Sequence, residues 1–330
     1  MSLRRLTAAL PVALASLLVL SACAAGPDAA APTSSAPTAD YYPVTVTDLG
    51  GNEVTITSAN SVAITDNRLF QLAADWDLPI TVAPRDLMSP NNPLKDDEKI
   101  LNIGTHGEPD YEQIVAADPD LVITGYRFGG EETAKGVRTA APDAAIVDTN
   151  TPQGMSADEY LVKSVTLMGD VFNRKQEAAA LIDQFHDAVA AAKAAYDSST
   201  TVMGLITSGG EINYSNPTDG RGASIFFGLL GLTPALQDAG SQTDKGDSVS
   251  LEALAAADAD VFIVLDRDAA VGQGQVTPAL DLITGSAALA NVTAVKEKAI
   301  YVFPADYYLT EDVFAYISVL NGLTTVFSAA

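Results

Sequence analysis

The sequence predicts an α/β protein: two Rossmann-like lobes, each with a central parallel-rich sheet, joined by a long rigid linker helix. Three observations carry this. Short apolar runs alternate with helical stretches along the chain, the pattern of parallel strands joined by crossover helices. Residues 156–198 contain no Pro and one Gly, and apolar residues recur at 161, 162, 165, 168 and 172, then at 178, 181, 182, 185 and 189, close to helical spacing. As one helix this stretch would reach about 60 Å; Asn173 is where it can divide in two. Finally, DYEQIVAADPDLVI (110–123) returns as SLEALAAADADVFI (250–263), offset by 140 residues and identical at six of 14 positions. Each copy reads as a helix, a tight turn at Asp118-Pro119 or Asp258-Ala259, and a buried strand, so the lobes look like two versions of one unit.

The chain opens with an address. Residues 1–22 carry Arg4 and Arg5, the apolar run LTAALPVALASLLVL, and the small residues Ser21 and Ala22 before Cys23. This is the layout of an export signal, and the apolar run is shorter than the ~20 residues of a membrane-spanning helix. Leu20-Ser21-Ala22-Cys23 resembles the bacterial lipobox, in which the Cys is diacylated and becomes the mature N-terminus. A lipidated Cys23 and a tether over 23–42, rich in Ala, Pro, Ser and Thr, would leave a soluble body anchored to the cell membrane on its extracytoplasmic face.

The N-terminal lobe is expected over 43–155. PVTVTD and NEVTITS, divided by Leu49-Gly50-Gly51, predict a hairpin, followed by strands at SVAIT (61–65), PITVA (79–83), DLVIT (120–124) and AAIVD (144–148). After the linker region 156–198, a C-terminal lobe over 199–330 has strands at TVMGLIT (201–207), DVFIVL (260–265) and AIYVF (299–303).

Composition excludes several functions. Lys plus Arg is 18 against 42 Asp plus Glu, a formal net charge of −24 over 330 residues. Removing the signal leaves 16 basic and 42 acidic residues, or −26. Nucleic-acid binding, which needs clustered Lys and Arg, is not expected. A single Cys forbids an intrachain disulfide, and two His are too few for a zinc centre of three or four His/Cys ligands. The chain carries no G-x-S-x-G elbow, no P-loop and no H-E-x-x-H motif, so catalysis has no positive support.

Four segments in order resemble the substrate-binding proteins of ABC importers whose lobes are joined by a rigid helix (the class III periplasmic binding proteins), serving iron–siderophores, haem and cobalamin. They are NIGTHGEPDYEQIVAADPDLVITGYRF (102–128), APDAAIVD (141–148), SLEALAAADADVFIVLDRDAAVG (250–272) and ADYYL (305–309). The likeness is greatest to the catecholate receptors of the enterobactin and petrobactin type. It implies a monomeric lipoprotein without intrinsic cofactor that captures a ferric siderophore, the ligand carrying Fe(III), and passes it to ABC permease subunits. Haem or a ferric hydroxamate is the alternative cargo within the same class; an envelope enzyme is a more distant one.

Ligands of open α/β sheets sit beyond the carboxyl ends of the strands. Arg127 and Arg267 follow DLVIT and DVFIVL, and Arg221 lies in YSNPTDGRGAS (214–224). Permanently charged planar guanidinium groups suit a trianionic tris-catecholate complex, by hydrogen bonding and by stacking on catechol rings. Arg85, Arg68 and Tyr126 are further candidates, with a solvated loop charge as the plain alternative for each Arg; Trp76 is another. Tyr307 and Tyr308 can stack on the ligand, donate to it or ligate ferric iron, or else serve as an aromatic plug. His106 reads as a turn or surface residue, and His186 falls in the linker. Glu112 and Glu252, at matching repeat positions, begin helices on the outer faces; the resemblance implies that they dock onto permease arginines.

Overall fold

A computed structural model describes residues 41–329 apart from 238–239, 241–242 and 273; the predicted signal, Cys23 and the tether through residue 40 lie outside the described residues. A hairpin of β1 (Val44–Thr47) and β2 (Glu53–Ile56) leads in. Its turn is closed by Asp48, whose carboxylate accepts from the Asn52 amide at 2.7 Å, and Gly51 takes the left-handed φ of +85° there.

The N-terminal sheet contains β3 (Val62–Ile64), β4 (Ile80–Ala83), β5 (Leu101–Asn102), β6 (Leu121–Thr124) and β7 (Ala145–Asp148), in the order β5-β4-β3-β6-β7 and parallel throughout. Helices α1 (Phe70–Asp75), α2 (Tyr111–Ala117) and α3 (Glu131–Ala140) make the crossovers. Residues 156–198 are not one helix. They form α4 (Ala157–Val171) and α5 (Lys175–Ala195), divided where Asn173 takes a φ of +54°. A Cβ on Gly169 would lie 2.7 Å from that of Ala178, so only glycine lets α4 come this close to α5. At 21 residues, α5 reaches about 31 Å.

The C-terminal sheet contains β8 (Thr201–Ser208), β9 (Glu211–Ser215), β10 (Thr233–Pro234), β11 (Val261–Asp266) and β12 (Ile300–Val302). Its parallel order is β10-β8-β11-β12, with β9 antiparallel on β8. Around it lie α6 (Ser224–Leu230), α7 (Leu251–Ala257), α8 (Arg267–Val271), α9 (Ala279–Gly285), α10 (Thr293–Lys296), α11 (Tyr307–Thr310) and α12 (Val313–Ala329). Helix α12 packs along α5, and Phe327 meets Tyr196 just past the end of α5 with ring centroids 5.0 Å apart. The seven strands expected from apolar runs after the hairpin are present. The additional β5 and β10 have two residues each, and β9 is a polar-flanked edge strand, so none offers an apolar run.

The sequence repeat is a structural repeat. Helices α2 and α7 are each seven residues long, and both end on a left-handed Asp: Asp118 at φ +44° and Asp258 at φ +43°. Two residues on, each copy uses a carboxylate to pin its strand to the neighbour. Asp120 accepts from the Ser58 hydroxyl (2.7 Å) and the Ser61 amide (3.1 Å), and Asp260 from the amide and hydroxyl of Thr201 (2.8 Å each). Central strands β6 and β11 are buried along their whole length, as parallel strands covered on both faces must be. Each large apolar side chain so buried contributes roughly 1.5–3 kcal/mol.

Helix α12 starts on a buried carboxyl. Asp312, 2% exposed, accepts from the Ala315 amide at 2.8 Å. Burial, only partly offset by the amides of Ala315 and Phe314, and aided by Asp306 and Asp75, pushes its carboxyl up to about 7. Because the folded state holds this proton more tightly than the unfolded chain, stability from this group falls as pH rises from about 4 to 7 and then levels off. Asp312→Asn, which keeps a capping oxygen without the charge, is expected to raise the melting temperature by at least ~2 °C at pH 8 and much less at pH 5. Calorimetric scans at the two pH values check this.

Candidate functional site

The carboxyl ends of both sheets open toward one another, and three arginines gather there. Arg127 follows β6 in a short 3-10 turn, Tyr126–Phe128. Arg267 follows β11 as the first residue of α8, displaced from Arg127 by the same 140 residues that separate the repeats. Arg221 comes from the loop between β9 and α6. The turn carrying Arg127 needs Gly125, because a Cβ there would run into the backbone of Thr149.

All three converge on one ring. The guanidinium carbons of Arg221, Arg267 and Arg127 lie 4.4, 5.2 and 5.6 Å from the centroid of Tyr308, within cation–π range. Tyr308 is 5% exposed. Arg127 Nη2 also donates to the Tyr308 carbonyl at 3.2 Å, joining the lobes. Two carboxylates that the sequence did not single out balance the cluster. Glu311 receives two bonds from Arg221 (Nε–Oε1 3.1 Å, Nη2–Oε2 2.7 Å) and one from the Tyr126 hydroxyl, which itself accepts from Arg221 Nη2 at 3.1 Å. Asp244 receives Arg267 Nη2 at 3.0 Å and the Tyr308 hydroxyl at 3.2 Å. Burial pushes the Asp244 carboxyl up, but Arg267 and the Tyr308 hydroxyl outweigh it and hold the group below its ordinary value. Burial and the adjacent Glu311 push the Tyr126 phenol well above its ordinary value. Among the described residues, no carboxylate lies within ion-pair distance of Arg127.

The other predicted positions divide clearly. Arg68 is 7% exposed, forked onto the fully buried Asp66 (Nε–Oδ1 3.0 Å, Nη2–Oδ2 2.8 Å) and sandwiched between the rings of Tyr160 (3.7 Å) and Tyr126 (4.3 Å). Its donors are spent inside the N-terminal lobe, so it supports Tyr126 and is not a free cleft charge. Arg85 donates from Nη1 to the Asp97 carbonyl at 2.8 Å and closes the loop between β4 and β5; no hydrogen bond ties it to the Tyr308 group. Tyr307 faces the core against Phe303, Tyr316 and Phe226, and burial pushes its phenol well above the ordinary value. Trp76 belongs to the core, its carbonyl accepting from Arg174. His106 is exposed near Arg127, edge-on to Phe128, and His186 is exposed on α5. Glu112 and Glu252 are both exposed in the first turns of α2 and α7.

A cavity of about 200 Å³ lies behind the cluster, lined by Arg68, Tyr126, Thr151, Tyr160, Glu311 and Tyr316. It is smaller than the roughly 300–1,000 Å³ of drug-sized ligand sites. Among the described residues no three His, Cys, Asp or Glu side chains are placed to hold a metal ion. Nor is any helix there long and apolar enough to cross a membrane.

The geometry has known parallels. Petrobactin-binding protein YclQ of Bacillus subtilis (strain 168) is 27% identical over 234 residues, covering 71% of this chain and 69% of the relative. The crystal structure of YclQ superposes with a TM-score of 0.71 at 19% identity, over 86% of this chain and 98% of that one. A TroA-like periplasmic binding protein of Xylanimonas cellulosilytica gives 0.69 at 23% identity (86% and 96% covered), and the periplasmic catecholate-siderophore binding protein VctP of Vibrio cholerae 0.68 at 18% (86% and 99%). These structures share the two-lobed fold. The family model for periplasmic binding proteins matches residues 62–307, which include Tyr126, Arg127, Arg221, Asp244 and Arg267 and end just before Tyr308 and Glu311, and the chain belongs to that family.

Proposed function

We propose that this protein captures a ferric siderophore of the catecholate type outside the cytoplasm and delivers it to an ABC importer. The observation that carries the reading is the convergence of Arg127, Arg221 and Arg267, drawn from both lobes, on the ring of Tyr308. A tris-catecholate ferric complex is a compact trianion with oxygens pointing outward and flat aromatic faces. Guanidinium groups match both features, and charge-assisted bonds contribute roughly 1.5–3 kcal/mol each. The likeness to YclQ and VctP, a petrobactin-binding and a catecholate-siderophore binding protein, supports the same ligand class. The overall negative charge opposes an anion at long range, but screening confines that field to a Debye length of about 8 Å and leaves the local arginines dominant. Tyr308 stacks on or donates to the ligand; Tyr307, enclosed in the core, and Arg85 and Arg68, engaged elsewhere, shape the site without touching its contents.

Glu112 and Glu252 present one carboxylate on each lobe at the ends of matching helices. They are suited to basic residues on two permease subunits. Lipidation of Cys23 holds the body at the membrane surface.

Intrinsic-fluorescence titration of the mature, membrane-extracted protein tests the ligand assignment. Ferric tris-catecholate, a ferric hydroxamate and haem are compared, and Arg127→Ala, Arg221→Ala or Arg267→Ala should each weaken the catecholate by more than tenfold (about 1.4 kcal/mol). Tight binding of haem or the hydroxamate alone overturns the catecholate assignment. The double substitution Glu112→Ala/Glu252→Ala should leave the titration unchanged while reducing iron uptake by cells at least tenfold. Cys23→Ala should release the protein from the membrane fraction into the soluble one, read by immunoblot after fractionation.

A further inference from the structure

Arg267 is paired with a carboxylate but incompletely satisfied. Its Nε is buried with no hydrogen-bond partner among the described residues, its Nη1 reaches Ser208 Oγ only at 3.5 Å, and its one strong bond goes to Asp244. An arginine left in this state is under-used unless something else arrives. Asp244 and Glu311 differ sharply as counter-charges. Glu311 is 13% exposed and gripped by two bonds from Arg221 and one from Tyr126, so it belongs to the frame. Asp244 is 44% exposed on the loop before α7, and a single oxygen, Oδ2, takes both of its bonds, at the point where Arg267 and the Tyr308 hydroxyl meet.

That point is where an incoming anionic oxygen gains most. Resting on the siderophore reading above, we infer that Asp244 is a resident anion that occupies the ligand-oxygen position between Arg267 and Tyr308 and must swing out before a ligand can bind. Its effect is selectivity. Three guanidinium groups in an open cleft would otherwise take up sulfate, phosphate or free carboxylates, which are common outside the cytoplasm. At the position between Arg267 and Tyr308, a small oxyanion gains no more than Asp244 already supplies. A ferric catecholate meets Arg127, Arg221 and Arg267 together and offsets the displaced carboxylate through the other two contacts. Asp244 is open to water on its own side of the pair, and water competes for a carboxylate so exposed, which lets it yield.

The test uses Asp244→Asn and Asp244→Glu in the mature protein, with sulfate and the ferric complex of catechol itself (three catechols per iron) as probes in calorimetric and stopped-flow titrations. Asp244→Asn should take up sulfate where the wild type does not, and should bind the ferric catecholate about three- to tenfold more tightly through faster association. Asp244→Glu should exclude sulfate again, which a merely structural role of the side chain would not predict. The inference is overturned if Asp244→Asn binds sulfate no better than wild type, or if it binds the ferric catecholate more weakly. Should the wild type refuse ferric catecholate while Asp244→Asn still gains sulfate, the resident anion stands and the siderophore assignment falls.

Discussion

Three positive charges meeting around one ring would repel one another, and the site depends on how that repulsion is answered. The face of Tyr308 attracts all three guanidinium groups, while Glu311 and Asp244 neutralise two of them. Among the described residues Arg127 alone of the three has no carboxylate partner, so the cluster carries a residual positive charge in a protein that is strongly acidic elsewhere. The arrangement holds because Tyr308 is fixed from behind. It is the second residue of α11, its neighbour Tyr307 is locked into an aromatic core, and the following Asp312 caps α12.

The same segment ties the lobes together. Asn67 donates to the Leu309 carbonyl at 2.6 Å, Ser89 to Asp306 at 2.9 Å, Arg127 to the Tyr308 carbonyl, and Tyr126 to Glu311. Residues 306–311 thus act as a shared floor between the sheets, followed directly by α12 along α5. A floor bonded to both sides, with α12 packed along α5, connects the two sheets through several separate contacts.

Much of this was legible in the chain. The strands were visible because parallel strands buried on both faces must be continuous apolar runs, and DLVIT and DVFIVL are such runs. Arg127 and Arg267 were legible because they stand directly after those strands. Glu311 and Asp244 were not, since 42 acidic residues give no local signal to mark two of them, and their partners lie up to 185 residues away. Tyr307 and Tyr308 were inseparable by sequence; successive helical residues point about 100° apart, so one turns to the core and the other to the cleft. Arg68 resembled a loop charge because its partner Asp66 makes a pair only once Tyr126 and Tyr160 enclose it.

The most direct measurement is a crystal structure with the ferric complex of catechol bound. The expected result is the iron complex wedged between the lobes, its oxygens within hydrogen-bond distance of Arg127, Arg221 and Arg267, and one catechol ring against Tyr308. A complex held by one lobe alone, or lying away from Tyr308, would contradict it.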